Sequence, residues 1–295
     1  MVTEKLEFTG ERFTPECERE IWYEHVHRYA FAAQFCHQAR VLDAACGEGY
    51  GSAMLAASAA RVTGVDISAE TIAHASTRYG GQENLDFECA DCTALPFAPE
   101  SFDVVVSFET LEHLAGQRAL LDEFRRVLKA DGLLILSSPD KAEYADKREF
   151  DNPFHVRELY RGELEALIEP VFPAFWILGQ KLMFHSVIFP GGESSQARVQ
   201  TLSDAGELEN GPIAHAPMYF IALCAAREEL LPEAAAGLWL FDDERESVYR
   251  HYHHEIQKNM EAGGILARHQ ARIEELERAV ARSGQPWWRR WMKRA

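Results

Sequence analysis

A glycine-rich turn that follows an apolar segment constrains the fold of this chain more than any other feature. Residues 41–46 are apolar apart from Asp43, residues 47–52 contain Gly47, Gly49 and Gly51, and residues 53–60 are rich in alanine. This order predicts a strand, a tight turn and a helix, because glycine adopts turn dihedrals and lets a ligand approach the backbone closely. In open α/β sheets such a turn binds nucleotide-like molecules at the carboxyl ends of the strands.

The residues around the turn narrow the choice of ligand. A pyrophosphate binds to N–H groups at a helix N-terminus, so the carboxylate of Asp43 argues against a dinucleotide. The spacing Gly47-x-Gly49-x-Gly51 also differs from the G-x-G-x-x-G pattern of dinucleotide sites. A carboxylate here suits a cationic ligand, such as one with an ammonium and a sulfonium group.

Apolar segments alternate with amphipathic ones along most of the chain. Helices are predicted over residues 20–35, 51–60, 69–79, 115–128 and 158–168, and strands over residues 40–43, 62–66, 85–89, 102–108, 133–137, 176–188 and 218–225. Strands interleaved with helices indicate a parallel, doubly wound sheet. Residues 190–217 are rich in Gly, Pro and Ser and predict a long hairpin connection or a lid.

Three further segments follow the turn in a recognisable order. Residues 62–68 end a strand with Asp66, residues 90–92 read Ala-Asp-Cys, and residues 101–109 form a strand that ends near Phe108 and continues to Glu112-His113-Leu114. Together with the turn they resemble the motifs of class I S-adenosylmethionine (SAM) dependent methyltransferases. Most members of that family have glycine where this chain has Ala45, a change that is conservative in size. The resemblance is strong over residues 38–140 and loose over 140–226.

This resemblance implies an α/β, Rossmann-like, doubly wound seven-stranded sheet with the last strand antiparallel, an N-terminal helical cap and a C-terminal helical tail. It also implies SAM as the cofactor. Asp66 would accept the ribose hydroxyls, Asp91 the adenine amino group, and Arg12 would pair with the methionine carboxylate. Either Asp43 or Asp66, taken singly, could instead cap a helix. The predicted cofactor-binding residues are Arg12, Asp43, Cys46, Gly47, Gly49, Asp66, Ile67, Asp91, Cys92 and Phe108.

Two histidines are candidates for catalysis. Methyl transfer requires mainly alignment, but a hydroxyl acceptor must also lose its proton, and histidine removes protons well near neutral pH. His155 follows the fifth strand and is the stronger candidate base, and His113 is the second. The alternatives are that His155 pins its loop and that His113 caps or packs its helix.

No metal ligands are predicted. The pair Cys89 and Cys92 has no second pair to complete a zinc site. His251, His253 and His254 lie on a predicted exposed helix, where a solvated face is the simpler interpretation.

The acceptor is inferred from less specific segments. Residues 8–13, 24–29 and 152–155 look like those of bacterial methyltransferases of surface-polysaccharide and glycoside synthesis, which favours O-methylation of a sugar hydroxyl in a glycan or glycoside. His25 or Tyr29 could line the acceptor pocket, or their helix could simply pack on the core. The other hypotheses are a small metabolite, natural product or quinone-like lipid precursor as acceptor, and a non-catalytic SAM-binding scaffold.

Composition limits partners and compartment. A formal net charge of −17 disfavours nucleic acid. Six cysteines without a regular framework predict reduced thiols in the cytoplasm. Residues 1–10 do not resemble a signal peptide, and no apolar run approaches the ~20 residues of a membrane-spanning helix.

The C-terminal part departs from the methyltransferase pattern. We divide the chain into a helical cap (1–36), a methyltransferase domain (37–228, with an inserted loop at 190–217), a helical extension (229–255), a short coiled coil (256–283) and a basic, tryptophan-rich tail (284–295). Leu266, His269, Ile273, Leu276 and Val280 have heptad-like spacing, which predicts a homo-oligomer or a helix docked on its own domain.

Residues 286–295 predict an amphipathic helix with tryptophans opposite arginines and lysines. Such a helix suits an anionic membrane surface, which would place the protein in the cytoplasm at the inner face of the cytoplasmic membrane. The alternatives are a docking peptide for a partner protein and a tail that folds back onto the acidic body.

Overall fold

The computed structural model describes residues 20–185, 187, 199–202, 207–213 and 215–283. These residues belong to two units, divided between Phe241 and Asp242. Within the described ranges, no helix is both long enough and apolar enough to cross a membrane. The predicted contributions of Arg12 and of the tail at 284–295 lie outside the described residues.

A seven-stranded sheet forms the centre of the first unit. Its strands are β1 (Arg40–Ala44), β2 (Arg61–Asp66), β3 (Leu85–Cys89), β4 (Phe102–Ser107), β5 (Leu128–Pro139), β6 (Ala174–Gln180) and β9 (Tyr219–Ala225). They lie in the order β3-β2-β1-β4-β5-β9-β6. The first five are parallel, and β9 is antiparallel to both β5 and β6. The predicted fold class, including the antiparallel last strand, is confirmed.

Helices accompany the sheet: α1 (Glu20–Ala33), α2 (Tyr50–Ala56), α3 (Ala69–Tyr79), α4 (Gln117–Val127) and α5 (Arg161–Ile168). Two apolar clusters form the core. Neighbouring residues of one strand belong to different clusters, for example Leu42 and Val41, or Leu134 and Ile135. Because successive strand residues point to opposite faces, the sheet is buried on both faces, as its continuous apolar strands predict.

Several predicted boundaries differ from the structure. The strand predicted over residues 176–188 ends at Gln180, and the helix predicted from residue 158 begins at Arg161. Tyr160 precedes that helix in an extended conformation, and its backbone N–H donates to the Glu163 carboxylate at 3.0 Å, which stabilises the helix start there. The inserted segment contains a two-stranded hairpin of β7 (Val199–Leu202) and β8 (Leu208–Gly211).

The second unit contains one long helix, α6 (Ser247–Ser283), which continues through Gly263 and Gly264. Asp243 accepts hydrogen bonds from the backbone and hydroxyl of Ser247 and so stabilises the helix start. A helical extension was predicted over residues 229–255; the described chain has short 3₁₀ turns at Glu228–Leu230 and Glu233–Ala236, and residues 247–255 belong to α6.

Candidate active site

Asp43 lies at the carboxyl end of β1, and its side chain is fully buried. It accepts hydrogen bonds from Ser52 Oγ at 2.6 Å and from Tyr29 Oη at 3.1 Å. Burial raises the pKa of its carboxyl group to about 6, although these hydrogen bonds oppose the shift. In this structure Asp43 therefore links α1 and α2 through hydrogen bonds to Tyr29 and Ser52. A direct contact between Asp43 and a ligand stays a prediction.

The backbone of the turn is left-handed at three positions. The φ angles are +61° at Ala45, +53° at Gly47 and +89° at Gly49. Glycine adopts this conformation without strain, whereas a Cβ atom clashes with the backbone. The absence of glycine at position 45 is therefore a conformational departure, and not only the small change in size that the sequence suggested.

Asp66, at the end of β2, is tied to the turn. Its Oδ2 accepts from Gly47 N at 3.1 Å and its Oδ1 from Ser68 N at 2.9 Å. A carboxylate has about four acceptor positions, so these two bonds leave capacity for ribose hydroxyls. A Cβ atom built on Gly47 would meet nothing within 4 Å, and Ile67 is 73% exposed. Open space therefore borders the residues predicted to hold SAM, and they fit that ligand.

The remaining predicted cofactor residues differ in exposure. Asp91 is exposed, and hydrogen bonds from the backbone and hydroxyl of Thr93 lower the pKa of its carboxyl group. Cys92 is buried, and burial raises the pKa of its thiol to about 12. Cys46 is also buried, and its backbone N–H donates to Val65 O at 2.8 Å. The ring of Phe108 packs edge-on against Tyr29, with 5.0 Å between centroids.

Arg28 of α1 is not among the site residues predicted from the sequence. It is almost fully buried; its Nε donates to Gln180 Oε1 at 2.6 Å, and its Nη1 lies 3.4 Å from Glu109 Oε1. Its guanidinium carbon lies 4.3 Å from the ring centroid of Tyr219. Neither Nη atom has a hydrogen-bond partner among the described residues. Arg28 therefore connects the helical cap to β6, β9 and the segment that follows β4, and it could hold a carboxylate.

The other acceptor candidates of this segment lie nearby. The hydroxyl group of Tyr29 donates a hydrogen bond to Asp43. His25 Nδ1 lies 3.2 Å from Tyr50 Oη. Burial, together with the charge of Arg28, holds the pKa of His25 well below its usual value, so its ring is neutral at physiological pH.

The structure brings His113 and His155 together, with 5.0 Å between their ring centroids. His113 ends a 3₁₀ turn after β4, and His155 lies in the loop after β5. Backbone N–H groups of Val156 and Arg157 donate to Glu112 O at 2.8 and 3.0 Å. Gln117 Nε2 also donates to the carbonyl groups of Leu111 and Arg157. The loop is therefore bonded along its backbone to the turn that carries His113.

The histidine rings are oriented through their Nδ1 atoms. His113 Nδ1 lies 3.1 Å from Phe154 O, and His155 Nδ1 lies 2.6 Å from Glu158 Oε1. Tyr144 stacks on His155 with 5.4 Å between centroids. The two predicted catalytic residues thus lie side by side beyond the carboxyl ends of β4 and β5.

Residues 42–136 match the family model described as a methyltransferase domain. The match begins in β1, includes the turn, Asp66, Asp91 and the Glu112-His113 segment, and ends in β5.

Curated relatives carry related names. A Mycolicibacterium smegmatis protein named as a probable S-adenosylmethionine-dependent methyltransferase is 38% identical over 167 residues, which is 56% of this chain and 64% of the relative. The demethylmenaquinone methyltransferase of Clavibacter sepedonicus is 40% identical over 97 residues, or 33% of this chain and 40% of the relative. The chain therefore covers less than two thirds of the length of either protein.

Among solved structures, a SAM-dependent methyltransferase of Thermotoga maritima, titled as a possible histamine N-methyltransferase, has a TM-score of 0.50 and 19% identity. The similarity covers 70% of this chain and 90% of that protein. The first unit therefore has the Rossmann-like fold of SAM-dependent methyltransferases.

Proposed function

We propose that this protein is a SAM-dependent methyltransferase that transfers a methyl group to a hydroxyl oxygen. The observation that carries the proposal is the geometry at one edge of the sheet. The left-handed turn follows β1, Asp66 at the end of β2 accepts a hydrogen bond from that turn, and the exposed Asp91 follows β3. The match of residues 42–136 to a methyltransferase domain supports the same reaction.

The chain's own residues contribute mainly positioning. Gly47, Asp66, Ile67 and Asp91 would hold SAM, which supplies a methyl group already activated by a sulfonium. The acceptor oxygen loses its proton to a base and forms a bond to the methyl carbon, while the carbon–sulfur bond breaks and its electron pair passes to sulfur. Proximity and alignment provide much of the rate in such a reaction. We assign deprotonation to the location of His113 and His155, with His155 as the first candidate.

We propose a sugar hydroxyl of a glycan or glycoside as the acceptor. Two exposed aromatic rings support an acceptor with flat apolar faces and polar edges. Phe154 precedes His155 in the chain, and Phe150 packs on Tyr144, which stacks on His155. A small metabolite or quinone-like lipid precursor is the second candidate, and it is favoured by the relative named demethylmenaquinone methyltransferase.

Incubation with methyl-labelled SAM tests the reaction and the acceptor together. The acceptors are fractionated glycans, lipid-linked oligosaccharides and a panel of small phenolic and quinone-like molecules, and mass spectrometry locates the added methyl group. We expect label on a sugar oxygen. Label only on small molecules would select the second candidate, and tight SAM binding without any transfer would favour a SAM-binding scaffold.

Asp66→Asn tests SAM binding by itself. We expect SAM affinity, measured by calorimetry, to fall about 10- to 100-fold, because hydrogen bonds to a charged acceptor contribute about 1.5–3 kcal/mol. Asp86→Asn is the matched control, since Asp86 lies in β3 and forms an exposed ion pair with Arg61. Equal affinities for both variants would contradict the role of Asp66.

We also propose that residues 286–295 bind an anionic membrane surface, with a partner protein as the alternative. Support comes from the four tryptophan and methionine residues and the four basic residues of this segment. Sedimentation with anionic lipid vesicles should retain the full chain and release a version that ends at Gln285. Equal sedimentation of both would contradict the membrane proposal.

A further inference from the structure

We propose that Glu112, His113 and His155 bind one divalent first-row transition-metal ion, such as Zn²⁺ or Mn²⁺. A potential ligand atom from each of the three lies within 4.8 Å of the others. Within the described part of the chain, this is the single group of three such side chains. Ligand atoms at about 2.1 Å from one ion lie about 3–4 Å apart, so binding needs only a small inward rotation of the side chains.

The hydrogen bonds of both histidines prepare them as metal ligands. The Phe154 carbonyl can only accept, so His113 Nδ1 must be the donor; the Glu158 carboxylate likewise accepts from His155 Nδ1. In a neutral imidazole the lone pair then lies on Nε2. Metal-binding histidines almost always donate their other N–H to a carbonyl or carboxylate, which fixes the tautomer and raises ligand basicity.

The surroundings keep the three ligands in place. Glu112 is fully buried, and the side chains of His155 and Glu158 are each only 8% exposed. The loop with His155 is bonded to the backbone carbonyl of Glu112 itself. Two ligands therefore come from one 3₁₀ turn and the third from a loop that is hydrogen-bonded to it, so the three side chains lie close together before an ion arrives.

The donor set indicates the class of ion and the chemistry. Two imidazoles with one carboxylate are typical of first-row transition metals, and they leave coordination positions open for an external ligand. An ion here would bind the acceptor hydroxyl and lower its pKa. This part rests on the proposed function. It replaces His155 as the direct base, because Nε2 cannot hold a metal and a proton at once, and the proton of the metal-bound hydroxyl would pass to solvent water. It also departs from the sequence prediction that the chain has no metal ligands.

Metal binding by the full-length protein tests the site without any assay of activity. Chelator-treated protein is equilibrated with Zn²⁺ or Mn²⁺ and the bound ion is measured by elemental analysis. We expect one tightly bound ion per chain, and affinity about 100-fold lower or worse in the double variant His113→Ala, His155→Ala. Unchanged affinity in that variant would overturn the proposal.

Two further variants test whether a loss of metal binding comes from misfolding or from the histidines of α6. Glu158→Gln keeps all three ligands but removes the charged partner of His155, and we expect metal affinity to fall about 10- to 100-fold. The triple variant His251→Ala, His253→Ala, His254→Ala removes the histidine group on α6, and we expect it to retain the ion. Loss of the ion in the triple variant alone would place the site on α6 and overturn the proposal.

SAM binding separates failure of this inference from failure of the proposed function. If the chelated protein and the double variant bind SAM normally and transfer returns when metal is added to the wild type, both proposals stand. Normal SAM binding with full transfer in the metal-free protein would overturn the catalytic part of the metal proposal alone. Tight metal binding without SAM binding would overturn the proposed function and leave the site.

Discussion

Ala45 occupies a backbone conformation that suits glycine better, and this predicts a stabilising substitution. At its φ of +61°, an L residue is less stable by roughly 1–2 kcal/mol, whereas glycine adds about 0.5–1 kcal/mol of unfolded-state entropy. We expect Ala45→Gly to raise the free energy of unfolding by about 1 kcal/mol, measured by urea denaturation. Ala44→Gly, the same change in the buried strand β1, should lower it. A loss of stability in both variants would contradict the explanation.

Asp43 makes stability depend on pH. Its pKa is about 6 in the folded protein against an ordinary 3.8, so the folded protein keeps a proton that the unfolded chain has released. The contribution of this carboxyl group to the free energy of unfolding therefore falls by roughly 3 kcal/mol at most as pH rises from about 4 to about 6. Above pH about 6 the contribution is constant.

The variant Asp43→Asn isolates this effect, since asparagine keeps the shape of the side chain but cannot titrate. It keeps one acceptor oxygen, where the carboxylate offers Oδ1 to Tyr29 and Oδ2 to Ser52. Urea denaturation of both proteins at pH about 4 and about 7 gives the difference in free energy of unfolding. We expect the wild type to lose stability relative to the variant at the higher pH. A difference that does not change with pH would show that another group dominates.

At the scale of single residues, the sequence predicted those parts of the site that depend on local spacing. The turn and Asp66 are close in sequence and meet through the bond between Gly47 N and Asp66. Arg28 could not be found this way, because its partner Gln180 lies 152 residues away. No local signal marked it, because an arginine on a helix ordinarily faces solvent.

At the scale of elements, α1 packs closely on α2 because Gly51 has no side chain. A Cβ atom at Gly51 would lie 2.0 Å from Tyr29 Cζ. We expect Gly51→Ala to lower the free energy of unfolding by about 3 kcal/mol, because overpacking forces the ring of Tyr29 away from Asp43. Thermal and urea unfolding measure the effect.

Gly162 in α5 provides the control for this prediction. A Cβ atom at Gly162 would meet nothing within 4 Å, so Gly162→Ala should raise the free energy of unfolding by about 0.5 kcal/mol. Similar effects at the two glycines would mean that helix propensity, and not the contact with Tyr29, determines the result.

The existence of nearly every predicted helix and strand in the first unit was correct, whereas several boundaries were not. The periodicity of apolar residues identifies a helix or a strand. Where that element ends depends on its paired strands and capping hydrogen bonds, which the periodicity does not show. β6 ends at Gln180, and β9, its partner, pairs with it as far as Tyr219. The start of α5 depends on a single hydrogen bond between Tyr160 N and Glu163.

At the scale of the whole molecule, α6 predicts self-association. Leu266, Ile273, Leu276 and Val280 are all about half exposed or more, at the spacing of a coiled-coil seam. We expect sedimentation velocity to show a concentration-dependent oligomer that is lost when these four residues are changed to glutamine. Changing Arg268 and Glu277, two exposed polar residues of the same helix, to glutamine is the control. A wild type that is monomeric at every concentration would contradict the prediction.

The strand order also has a consequence for how the protein is made. In the described structure β6 pairs with β9 alone, and β9 separates it from β5. During synthesis, β5 and β6 therefore leave the ribosome well before residues 219–225, the strand that joins them. Until then the nascent chain carries two unpaired apolar edges, the kind of surface that invites aggregation. We expect chaperone binding to this nascent chain to end once β9 has emerged.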